Sequence, residues 1–125
     1  MAYHKTMSDE QKIEQLLSEQ QYMVLAVALE DGRPWVVPVR IKSRSGNKFE
    51  WDSVLTTEHS KALAVNPDMA ITVFQKKDDS QVGLYAQGMA RLVEEFKPGI
   101  GHYMFEAEKC WINDESFVKR EINLG

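Results

Sequence analysis

The spacing of apolar residues changes along the chain, and each change marks a different element. Ser8-Asp9-Glu10-Gln11 is a capping box, in which a Ser hydroxyl and a Gln side chain three residues later satisfy the first free amides of a helix. Ile13, Leu16 and Leu17, with Gln20 at the margin, then fall at helical spacing and give one narrow apolar stripe. This predicts a short amphipathic helix ending near Gln21 and lying against a sheet, preceded by a loose tail over residues 1–7. From Tyr22 the pattern turns to β-formers. Tyr22 to Leu29 and Pro34 to Lys42 read as two strands joined at Glu30-Asp31-Gly32-Arg33, whose Asp-Gly is a tight-turn signal. In the second strand Trp35, Val37, Val39 and Ile41 share one face, and Val36, Pro38, Arg40 and Lys42 share the other. Pro38 has no amide hydrogen to give to a ladder, which places its amide side at an edge, a bulge or a ligand.

After a turn at Ser45-Gly46-Asn47, Lys48 to Ser53 reads as a third strand with Phe49 and Trp51 on one face. Thr56 to Val65 opens with a Thr cap, continues in good helix formers and is stopped by Asn66-Pro67. Met69 to Gln75 is a fourth strand, Lys76 to Ser80 a solvated turn, and Gln81 to Val93 a long fifth strand. Gly88 in its middle marks a bulge or a close backbone approach. Pro98-Gly99-Ile100-Gly101 interrupts the pattern. His102 to Glu108 reads as a short helix, and Lys109 to Asn113 and Phe117 to Ile122 as the last two strands. Several antiparallel strands with few, short helices predict a mainly β fold, a closed or split β-barrel, with residues 1–125 as one domain.

Composition narrows the classes of function. A chain of 125 residues can bury a real core, and 43% apolar with 27% charged residues is ordinary for a soluble globular protein. The net charge of −4 argues against nucleic acid or an anionic membrane as a general partner, since both call for a basic surface. The one cysteine, Cys110, leaves no partner for an intramolecular disulfide; with no signal-peptide pattern at the start, the expectation is a cytoplasmic protein. The longest apolar run, the 8 residues Tyr22 to Leu29, is too short to cross a bilayer as a helix.

The stretch that carries chemistry is Ser53 to Lys61. A strand ends, a Ser/Thr-rich turn follows, and a helix starts with basic side chains in its first turns. Free amides and the partial positive charge at a helix N-terminus favour a phosphate. Ser53, Thr56 and Thr57 offer hydroxyls, and His59, Lys61, Lys42 and Arg40 offer charge. The plainer reading of the same residues is a Thr-capped surface helix with solvated Lys and His.

A resemblance bears on that choice. Asp31-Gly32-Arg33-Pro34-Trp35-Val36-Val37-Pro38-Val39-Arg40 resembles the second strand of the pyridoxamine 5′-phosphate oxidase-like FMN-binding split-barrel family, commonly a Gly-x-Pro-x-x-x-Pro-Val run. Thr57-x-His59, followed by Leu63, Asn66-Pro67 and the apolar run Met69 to Phe74, is similar to that family's phosphate helix. Gly88 in strand five and Trp111 in Cys110-Trp111-Ile112-Asn113-Asp114 match as well. The resemblance runs from about Ile13 to Asp114.

It implies an antiparallel split barrel that binds FMN in a groove between the two subunits of a homodimer. The backbone of Pro38, Val39 and Arg40 would line the isoalloxazine. Ser53 and Thr57 would meet the phosphate end, with Thr56, Lys61 and Lys42 as further candidates and His59 where a Lys is frequent. An imidazole there would make phosphate binding weaker and dependent on pH. Trp111 would reach the partner subunit's flavin. Two departures point away from pyridoxal phosphate formation: Val37 stands where the oxidases carry an Arg, and an Arg-containing segment of theirs lies beyond the position of Gly125. The reading is a flavin-dependent oxidoreductase acting on an unassigned small molecule, with no catalytic residue named, because the isoalloxazine itself supplies the redox chemistry. The alternatives are a non-catalytic flavin carrier or sensor, or the same fold holding a deazaflavin or haem.

Four features have competing readings. His102 and Glu106 are spaced as helical metal ligands would be, but no further ligand completes a site, so a surface pair is favoured. Cys110 beside Trp111 reads as packed rather than reactive. Trp51 reads as core, with flavin stacking as the alternative, and Trp111 reads equally as core or dimer-interface packing and as a contact to the partner subunit's flavin.

Overall fold

The computed structural model describes residues 6–125. Of the tail expected at residues 1–7, only Thr6 and Met7 fall among them, neither in a helix or strand. The elements are α1 (Asp9–Glu19), β1 (Tyr22–Ala28), β2 (Pro34–Arg40), β3 (Ser43–Ser45), β4 (Lys48–Val54), α2 (Glu58–Val65), β5 (Asp68–Lys77), β6 (Ser80–Lys97), β7 (Ile100–Asp114) and β8 (Arg120–Ile122). The capping box at Ser8 is formed in full, with Ser8 Oγ accepting from the Gln11 amide.

All strand pairings are antiparallel, in the order β2-β1-β5-β6-β7-β4-β3, with β8 added on β7. β2 is an end strand of that order, so the missing amide hydrogen of Pro38 sits at a sheet edge, as its sequence context required. Beyond β2 the chain bends through Ile41 and Lys42 into β3. There the Lys42 amide donates to the Glu50 carbonyl of β4 at 2.8 Å. No ladder joins β2 to β4, so the sheet curls on itself without closing: the fold is a split β-barrel.

Inside the curl, Met23, Leu25, Phe49, Trp51, Leu84, Phe105 and Ile112 are buried, and α1 plugs one end with Ile13 and Leu16. β6 breaks register with β7 between Gln87 and Gly88. A Cβ at Gly88 would stand 2.0 Å from the Glu106 carbonyl oxygen, so the close approach expected of this glycine is real. At the far end of β7, Arg120 pairs with both Asp9 (2.9 Å) and Asp114 (2.8 Å), and Lys12 reaches Asp114 at 3.1 Å. These contacts tie the start of α1 to β7 and β8.

Three expectations are corrected. His102 to Glu108 is not a helix but part of β7, whose 15 residues also take in Lys109 to Asn113. Tyr103, Phe105 and Ala107 alternate inward there, and pairing with both β4 and β6 overrides the local helix formers Met104, Glu106 and Ala107. Pro98-Gly99 is a hairpin turn between β6 and β7, with Gly99 at φ +81°. The last strand is only Arg120–Ile122, because Phe117 at φ 59° turns the chain out of extended geometry.

Candidate functional site

Strand register assembles the outer face of the sheet in rows. Pro38, Val24, Thr72, Tyr85 and Trp111 lie opposite one another across β2, β1, β5, β6 and β7. With four strand spacings between its ends, this row is about 19 Å wide. The neighbouring row runs Val36, Ala26, Ala70, Gln87 and Lys109; on the other side Phe74 faces Gly83, which faces Asn113, and Arg40 faces Tyr22. Two sequence candidates from opposite ends of the chain, Pro38 and Trp111, therefore share one face.

That face is not the polar one an antiparallel sheet turns to water. Phe74 is 63% exposed, Tyr85 39%, and Val36, Tyr22 and Met89 are also open. The Tyr85 ring lies across Gly83, where a Cβ would stand 3.2 Å from Tyr85 Oη, so glycine is what lets the ring lie down. Phe74, Gly83, Tyr85 and Asn113 line a cleft of about 360 Å³, and the small residues Ala26, Ala28 and Ala70 floor a second of about 530 Å³. Lys119 Nζ stands 5.2 Å from the Trp111 ring centroid.

The second region is the start of α2. Thr57 is its N-cap: Oγ1 accepts from the Ser60 amide at 3.2 Å and donates to Ser60 Oγ at 2.7 Å. Ser53 Oγ lies 2.8 Å from His59 Nε2, and Thr57 Oγ1 lies 3.4 Å from the same nitrogen. The first amide bonded within the helix is that of Lys61, to the Thr57 carbonyl, so the amides of Glu58 and His59 remain at its open end. His59 is only 6% exposed, and burial pushes its imidazole pKa down, leaving it neutral at neutral pH.

The basic candidates stand apart from that cluster. Ser53 follows Phe49 and Trp51 along the inward side of β4, whereas Lys42 binds Asp52 on its outward side at 3.0 Å and stacks over Phe96 at 5.2 Å. Asp52 Oδ1 is 2.7 Å from His102 Nδ1, and Glu50 Oε1 is 3.0 Å from His102 Nε2. With Asp52 and Glu50 on its two nitrogens, the His102 pKa is raised. Lys61 pairs with Glu58 at 3.3 Å. Thr56 is exposed, Val39 faces the core and can offer a ligand only its backbone, and Arg40 is exposed with no ion pair among the described residues.

The structure thus gathers Ser53, Thr57 and His59 at one place and Pro38, Tyr85 and Trp111 at another. Ser53 pairs with Gly101 on β7, and Trp111 lies ten residues further along that strand. At a strand rise of ~3.3 Å per residue this is at most about 33 Å, and the two positions lie toward opposite ends of β7. Tyr85, Gly83 and Phe74 escaped the sequence reading, although period-two spacing already put Gly83 and Tyr85 on one face. Trp51 is fully buried and stacked on Tyr103 at 5.4 Å, which makes it core. Cys110 is buried, and burial pushes its thiol pKa up. No metal-holding group of His, Cys, Asp and Glu occurs among the described residues, and His102 serves its ion pairs instead.

The antiparallel split barrel, with a bare apolar face and a capped helix beside its seam, defines a structural class. Residues 9–122 match pyridoxamine 5′-phosphate oxidase, and the chain belongs to that family. No curated protein matches it. Among solved structures, a heme binding protein from Mycobacterium smegmatis superposes at TM-score 0.80 with 12% identity, over 96% of this chain and 60% of the other. A Clostridium acetobutylicum protein related to general stress protein 26, of the pyridoxinephosphate oxidase family, gives 0.78 with 14% identity, over 94% and 97%. A FAD-binding protein from Mesorhizobium loti gives 0.71 with 14% identity, over 82% and 90%. At these identities the likeness is one of fold. Among the described residues no helix is long and apolar enough to cross a membrane.

Proposed function

We propose that the chain is an FMN-binding flavoprotein of the oxidoreductase kind, working as a homodimer whose flavins lie between subunits. The observation that carries this is the row Pro38-Val24-Thr72-Tyr85-Trp111: an apolar, aromatic sheet face suited to a flat ring and bare in the single chain. The ring would lie against this face, where the backbone of Pro38 to Arg40 can hydrogen-bond it. The ribityl phosphate would run to the Ser53, Thr57 and His59 cluster. Because Trp111 and that cluster lie toward opposite ends of β7, a flavin that meets both would be shared by two copies.

The donor set favours flavin over haem. Among the described residues His102 has both ring nitrogens engaged, by Asp52 and Glu50, and His59 is buried with Nε2 on Ser53, so neither stands open on the sheet face as an iron ligand would. Bound flavin would supply the electron transfer; the chain's part is to hold the ring, exclude water from it and tune it through backbone dipoles. The absorbance spectrum of the purified protein, taken with its sedimentation mass, tests the reading. A flavin spectrum on a dimer that a nicotinamide donor bleaches is expected. A porphyrin spectrum or a strict monomer would overturn it, and a flavin that no donor reduces would make the protein a carrier.

A further inference from the structure

The polar end of this site is charge-balanced before any ligand arrives. Lys42, Lys61 and His102 stand around β4 and the start of α2, and Asp52, Glu58 and Glu50 stand with them. Every cation in the group touches a carboxylate: Lys42 to Asp52 at 3.0 Å, Lys61 to Glu58 at 3.3 Å, and His102 to Asp52 at 2.7 Å and Glu50 at 3.0 Å. Exposed ion pairs hold weakly, so either lysine can swing toward an incoming anion. The carboxylate it leaves stays behind and repels the same anion.

The helix end offers little more. Glu58 already places a negative charge in the first turn, where the amide dipoles of α2 would otherwise favour a phosphate. Thr57 Oγ1 is taken up by Ser60, and the buried His59 brings no positive charge. What a phosphate finds is neutral: the amides of Glu58 and His59, beside a Ser53 hydroxyl already engaged with His59 Nε2. The sheet face differs in kind, with Tyr85 laid over Gly83 between Phe74 and Trp111 and no carboxylate in that row.

We infer that this chain selects its flavin by the ring rather than by the phosphate, so that riboflavin binds nearly as tightly as FMN. This rests on the flavin reading above. Hydrogen bonds from the amides of Glu58 and His59 to an ionised phosphate favour FMN, and the Glu58 carboxylate in the same helix turn opposes its charge, which leaves the two ligands separated by about tenfold. Arg40 is the cation of the candidate set outside any ion pair, and it stands on the sheet face beside Tyr22, away from α2.

The test is an equilibrium titration of the full chain with FMN and with riboflavin, followed by flavin fluorescence at low and high salt. Both flavins should bind with dissociation constants within about tenfold, and the ratio should barely respond to salt. Glu58→Gln, which leaves Lys61 unopposed in the first turn of α2, should raise the preference for FMN about tenfold while riboflavin affinity stays level. A wild-type preference for FMN above about a hundredfold would overturn the inference, and its loss in Arg40→Gln would name the residue responsible. Failure of both flavins to bind would instead sink the flavin reading, and the inference with it.

Discussion

The sheet face around Tyr85 and the start of α2 follow opposite rules. The first keeps its charges, such as Arg40, Lys109 and Lys119, outside the central row and gets its character from shape: glycine under a tyrosine ring, alanines beside it, aromatic rings at the margin. The second is crowded with charge, yet Lys42, Lys61 and His102 each have a carboxylate a few ångströms away, and Lys97 beside Phe96 is left without an ion pair among the described residues. A surface rich in ionic groups can therefore be the less selective of the two for an anion. Net field, rather than the number of basic residues, sets what a phosphate experiences.

The contrast can be broken from either side. The largest effect is expected for Gly88→Ala, because the new Cβ would meet the Glu106 backbone oxygen at 2.0 Å and backbone cannot step aside cheaply. The bend that carries the sheet face would be lost, at a cost of about 3 kcal/mol in chemical denaturation. Unchanged stability would mean that the bend is not held by this contact.

Next is Asp114→Asn at the end of the strand that carries Trp111. Asp114 is nearly buried, while its partners Arg120 and Lys12 are about a third exposed, so the loss should be about 2 kcal/mol. The Arg120 guanidinium and the Ser116 hydroxyl hold the Asp114 carboxyl pKa well below the ordinary range. A depressed folded pKa means that the stabilisation is present above the unfolded pKa and lost as pH falls through the folded one. The gap between wild type and variant should therefore be full at neutral pH and close in strong acid; a gap constant with pH would contradict the ionic account.

Tyr85→Ala should spare the fold and weaken flavin binding about tenfold, roughly 1.4 kcal/mol, by removing the ring from the platform. Equal affinity would place the flavin elsewhere. The smallest effect is expected for His102→Gln, on the charge-balanced side. Its folded pKa is raised above 6.5 by Asp52 and Glu50, so its stabilisation is complete below that value and fades as pH rises through the raised one. Melting curves of wild type and variant should differ in mild acid and converge in alkali. Divergence in the other direction would mean that His102 is neutral in the folded chain.

Much of the fold was legible from short-range chemistry. The capping box at Ser8, the Asp31-Gly32 hairpin, the Thr57 cap and the bulge at Gly88 each need a particular residue at a particular backbone position. β7 was harder to read because Met104, Glu106, Ala107 and Glu108 favour a helix locally. Only the flanking strands β4 and β6, distant in sequence, make the extended form the better one. The site was legible in part for the same reason. Ser53, Thr57 and His59 lie within one turn and strand end, so spacing brought them together. The row from Pro38 to Trp111 exists only through four strand pairings, and the ion pairs of His102 depend on the true course of β7.

The central claim, a flavin lying on the outer sheet face, has a direct reporter in the three tryptophans Trp35, Trp51 and Trp111. Their indole N–H resonances can be followed in a nitrogen-resolved NMR spectrum of the full chain as FMN is added. The account predicts that Trp111 shifts with saturation while the buried Trp51 holds still. A Trp111 signal unmoved at saturating flavin would contradict it.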